Sequence, residues 1–104
     1  MTGETMIKHI VMWRLKKIKG KTKESTASEI EAEVNKLPNL IKEIKAFEVG
    51  INVNPSERAS DVALVSEFKS IDALKKYQDH HEHLKVVALL QPLTKEVRVI
   101  DYEM

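Results

Sequence analysis

The apolar residues of this chain switch between two spacings, and the order of the switches leaves few folds open. They alternate in "MIKHIVMWRLK", residues 6 to 16, which puts Ile7, His9, Val11, Trp13 and Leu15 on one face of a strand and Met6, Ile10 and Met12 on the other. Apolar residues on both faces mark a central strand. From Ala27 the spacing becomes three and four, through Ile30, Val34, Leu37 and Ile41. That is a helix face, with Ser25 or Ser28 expected as its cap and Pro38 marking its end. Alternation returns in "IKAFEVGINVN", with Phe47, Val49, Ile51 and Val53 on one side, and in "DVALVSEFKS", with Val62, Leu64 and Phe68; the turn residues of "NPSERAS" separate the two. A second helix is expected from Ile71, capped by Ser70 and carrying Asp72 at its positive end, through to about Leu90 or Leu93. "KEVRVIDYE" is then the last strand. The order βαββαβ predicts an α+β, ferredoxin-like chain: a four-stranded antiparallel sheet with both helices on one face. The uncovered face exposes Ile10 and Met12, and a second copy of the chain is the simplest cover, which predicts a homodimer through the sheet face.

A chain of 104 residues fits one domain, taken here as residues 6 to 104, after a polar extension, "MTGET" (1–5), with no apolar stretch of a signal peptide. With 17 Lys and Arg against 16 Asp and Glu the surface lacks the basic excess of a nucleic-acid binder, and no RNP1 pattern occupies the strands. No apolar run approaches the roughly 20 residues that span a bilayer, so no membrane partner is expected. The absence of cysteine removes disulfides, thiolate nucleophiles and cysteine zinc sites, and makes the cytoplasm the expected location.

Chemistry concentrates in "YQDHHEHLKV", residues 77 to 86, where three of the four histidines fall. Metal binding is not expected: "HEHLK" departs from HExxH because Lys85 stands at the second histidine position, and no third and fourth ligand accompany His80 and His83. No cofactor motif is present. A histidine base beside a tyrosine donor suits removal of an acidic proton next to a carbonyl. At about 100° per residue, Tyr77 lies in line with Ala73, Leu74, Leu84 and Ala88 and should face the sheet, whereas His83 lies roughly 120° away unless the helix bends near His80 and His81. The non-chemical alternative is a core tyrosine with imidazoles satisfying backbone carbonyls at a helix break. Trp13 is either packing or a ligand platform. In "NPSERASD", Arg58 and Ser56 suit an anion, while Asn54 and Asp61 suit shaping the loop.

"IKHIVMWRLK", "VGINVNPSERASDVALVSEFKS", the Y-x-x-H-x-x-H at 77 to 83 and "VIDYE" resemble the stress-responsive A/B barrel family of dimeric α+β barrels, from Met6 onward. The resemblance implies a homodimer whose sheets pack face to face, with no assigned reaction for most members. It also extends to olivetolic acid cyclase-like proteins, which work without cofactor or metal. By that similarity Tyr77 and His83 occupy catalytic positions and His9 a pocket position. Two departures stand out: His81 replaces a common proline, so a more helical junction is expected, and Val62 stands where the cyclases carry another pocket histidine. The expected site is thus Tyr77 and His83 as a catalytic pair, with His9, Trp13, His80 and Leu84 as ligand-binding residues. The expected function is a small homodimeric protein of unassigned activity that binds a small apolar or acidic ligand between sheet and helices. The alternative is a cofactor-independent, cyclase-like acid/base enzyme.

Overall fold

The computed structural model describes residues 5–104; residues 1–4, most of the expected extension, lie outside the described residues. The chain runs β1 (Ile7–Leu15), α1 (Lys23–Val34), β2 (Ile44–Ile51), β3 (Val62–Phe68), α2 (Ile71–Asp79), α3 (His81–Leu90) and β4 (Thr94–Glu103). The four strands form one antiparallel sheet in the order β2-β3-β1-β4. This is the ferredoxin-like α+β arrangement that the spacing predicts.

The register explains the two faces. Val11 sits opposite Leu64 and Val99, Trp13 opposite Val62 and Val97, and His9 opposite Ser66 and Asp101. Every second residue of β1 and β3 is buried on this side, where the helices lie. On the other side Ile10 pairs with Val65 and Ile100, and Met12 with Ala63 and Arg98, with no covering element among the described residues. Two apolar clusters fill the helix side: Leu15, Ile30, Val34 and Leu90 belong to one, and Leu37, Ile41, Phe68, Leu74 and Tyr77 to the other.

Local chemistry sets the ends of the elements. α1 begins earlier than Ser25 or Ser28 would place it, because Thr22 is the cap: its hydroxyl accepts the Ser25 N–H at 3.0 Å. Gly20, at φ +82°, makes the turn before it, a conformation that side chains with a Cβ rarely adopt. α1 stops at Val34, and Pro38 sits inside a following 3₁₀ turn, Leu37–Asn39. β2 stops at Ile51, so Val53 leaves the apolar face and is 96% exposed. Ser70 caps α2 as expected, accepting the Ala73 N–H at 3.1 Å.

The second helical region differs most from expectation. It is two helices, broken at His80, whose extended backbone (φ −64°, ψ 136°) ends α2 and starts α3. The more helical junction expected from His81 does not form. The His80 ring supplies the reason, because its Nδ1 accepts the Glu82 N–H at 3.1 Å and so caps α3 with a side chain.

The 52–60 loop is shaped by its own side chains. Asn54 Oδ1 accepts the Ser56 N–H, and Ser56 Oγ accepts the Arg58 N–H. Asp61 ties the loop to β1: its carboxylate accepts the Leu15 N–H at 2.8 Å, where the β1–β4 register shifts. Among the described residues no helix is long and apolar enough to cross a membrane.

A polar-ended cavity between the sheet and the helices

A cavity of about 360 Å³ lies between the helix side of the sheet and α3. β1 supplies His9, Val11 and Trp13, α2 supplies Tyr77 and Gln78, α3 supplies His83, Val86, Val87 and Leu90, and β4 supplies Val97 and Val99. Val87, Val97 and Val99 are about half exposed, so the mouth opens between α3 and β4. The gap exists because the helices pack mainly over β1, β2 and β3, leaving the last strand only partly covered.

The rings converge at one end. The Tyr77 and His83 ring centroids are 4.5 Å apart, and those of His9 and Tyr77 6.1 Å. Phe68 backs the group, 4.8 Å from Tyr77 and 6.2 Å from His9. The break at His80 makes this convergence possible. On one continuous helix Leu84 would follow Tyr77 toward the sheet and His83 would point away; with the break, His83 meets Tyr77 and Leu84 is 54% exposed.

The two histidine rings are each held by a partner that fixes their hydrogen-bonding roles. His83 Nδ1–H donates to the Gln78 carbonyl at 3.0 Å, across the helix break. A carbonyl can only accept, so Nε2 keeps a lone pair when the ring is neutral. Burial holds His83 below the ordinary histidine pKa, the Gln78 bond opposes this in part, and the positive charge available to His9 and His80 adds to the lowering. His9 is bonded through Nδ1 to the Asp101 carboxylate, which leaves its Nε2 unspent. Burial pushes the Tyr77 phenol well above its ordinary value, so it stays protonated and serves as a donor. No hydrogen bond among the described residues engages that hydroxyl, and no fully buried side-chain polar atom among them lacks a partner. The hydroxyl is therefore open to the cavity that Tyr77 lines.

Of the six residues expected at the site, the structure brings Tyr77, His83, His9 and Trp13 into the lining of one cavity. His80 and Leu84 are not in it: His80 is engaged as the cap of α3 with its ring stacked on His81, and Leu84 faces outward. Val62, at the position of the cyclases' additional histidine, is a core residue beside Trp13. Asp101 was not anticipated, because its place beside His9 depends on β4 pairing with β1 across 92 residues of sequence. Among the described residues no three His, Cys, Asp or Glu side chains are grouped to hold a metal ion.

The profile of the Stress Responsive A/B Barrel Domain matches residues 7–104. The chain belongs to that family. An uncharacterised protein from Streptomyces coelicolor is 31% identical over 98 residues, covering 94% of this chain and 99% of its own. The solved structure of a dimeric protein of unknown function and ferredoxin-like fold from Bacteroides fragilis is 33% identical, with a TM-score of 0.85 over 95% of this A/B barrel chain and 96% of that one. A hydroxynitrile lyase from Passiflora edulis shares the fold at 22% identity, with a TM-score of 0.81 over 98% and 95% of the two chains.

Proposed function

We propose that this A/B barrel protein is a homodimer that holds a small, largely apolar ligand between sheet and helices, and that the open sheet face joins the two copies. The Bacteroides relative, described as dimeric, supports the assembly, and the lack of cysteine accords with a cytoplasmic setting. One observation carries the ligand reading: within a mainly apolar lining, Tyr77, His83 and His9 present hydrogen-bonding atoms not spent on the protein. Packed cores leave few such voids, and convergent polar groups in an apolar recess are the usual form of a ligand site. Trp13 is the sole tryptophan and lies on the cavity wall, so it reports occupancy. Apolar dyes should change its emission, and Val86→Phe, which fills the cavity from α3, should weaken that response by about tenfold or more. Indifference of the Trp13 signal to every apolar probe would exclude the reading.

The second reading is proton transfer in the same cavity, favoured by the tautomer that Gln78 imposes on His83. A neutral imidazole with a free Nε2 is a base, and a protonated phenol 4.5 Å away between ring centroids is a donor for the oxygen of the enolate so formed. In this reading His83 and Tyr77 are the catalytic pair and His9, held by Asp101, lines the pocket beside them. A β-dicarbonyl compound in heavy water should exchange its central C–H faster in the presence of the protein, and His83→Gln should remove about 10²- to 10⁴-fold of that acceleration. Equal exchange with the variant would leave binding alone.

A further inference from the structure

The cavity has a direction. β1 runs from His9 at the polar end to Trp13 at the other, four residues or roughly 13 Å along the strand. Hydrocarbon from Val11, Leu64, Val86 and Val99 lies between them; Gln78, Gln91 and Thr94 also line the cavity, and the Thr94 hydroxyl donates to the Leu90 carbonyl at 3.1 Å. Among the described residues no Lys, Arg, Asp or Glu side chain lines the cavity. The carboxylate beside His9, that of Asp101, is already engaged by the His9 ring.

From this arrangement we infer that the cavity selects elongated molecules with an uncharged, hydroxyl-bearing head at the His9 end and a hydrocarbon body toward Trp13. This inference rests on the reading of the cavity as a binding site and narrows it. A hydroxyl fits both unspent groups at once: it donates to His83 Nε2 and accepts from the Tyr77 O–H. A carboxylate head has no cation to meet, since the His83 ring is held neutral by its buried surroundings and His9 already faces Asp101. An ammonium head has no free carboxylate either. Burying an unpaired charge in such a recess costs far more than burying a hydroxyl with both its partners. The expectation of an acidic ligand is thereby narrowed to an uncharged one.

Octanol, octanoate and octylammonium each have eight carbons and differ in the head, the carboxylate carbon being the eighth in octanoate. Calorimetry and Trp13 emission at neutral pH should show octanol binding at least about tenfold more tightly than either charged partner. Tyr77→Phe should weaken octanol by about three- to tenfold, because the head loses its donor. A folded Tyr77→Phe protein that binds octanol as the parent does would overturn head recognition, and the comparison of the three ligands stands even if that variant fails to fold. Octanoate binding as tightly as octanol would overturn the inference while leaving the cavity a binding site. Failure of all three, together with apolar dyes, would remove both.

Discussion

His83 is the residue whose state is most tightly specified by its surroundings. It is half-buried, donates to Gln78 and faces Tyr77, and its pKa is lowered chiefly by burial. A lowered folded pKa means that the unfolded chain binds the proton more readily, so stability falls on acidification. The contribution is fully present above the unfolded value of about 6.5 and is lost as the pH falls through the lower folded value. Denaturant titrations should therefore show stability declining over that window, with a shallower decline in His83→Gln. Ring NMR should find His83 titrating below the ordinary histidine value, and a higher titration would contradict its buried, neutral placement. Much at this scale was legible beforehand: alternation along β1 placed His9 and Trp13 on the face that Tyr77 approaches. Asp101 was not, because which residue lies beside His9 is fixed by strand register and not by local pattern.

The break between α2 and α3 is the element on which the cavity depends. His81 is the first residue of α3, where an N–H has no helical partner, and the His80 backbone already has the extended form required before proline. His81→Pro should thus fit without distortion and raise stability by about 0.4–1 kcal/mol through the unfolded chain. His80→Ala should lower it by about 1 kcal/mol through loss of the cap, and His80→Asn should restore most of that. Denaturant midpoints measure all three; a strongly destabilising His81→Pro would mean that the break is held by something other than the cap. The spacing of Ala73, Leu74, Tyr77, Leu84 and Ala88 does not itself mark this junction, since an imidazole cap leaves no interruption in the apolar pattern; a bend near His80 and His81 entered only as the condition for His83 to meet Tyr77. Leu84 was misplaced for that reason: the break resets the phase of everything after His80.

At the scale of the molecule, the sheet has two differently used faces. The open one carries Ile10, Met12, Val65 and Ile100 between ion pairs of Lys8 with Glu67 at 3.8 Å and Arg14 with Glu96 at 3.1 Å. An apolar centre with a charged rim is the form of a protein interface. Ile10→Glu combined with Ile100→Glu should convert a sedimenting dimer to a monomer, and an unchanged dimer would move the interface elsewhere. The helix-side face keeps its cavity in either state, so ligand binding need not be lost with the dimer. The most direct test is histidine-ring NMR during titration with octanol. The ring signals of His9 and His83 should shift together and saturate while that of exposed His81 stays in place; movement of His81 alone, or of none, would contradict a ligand held between sheet and helices.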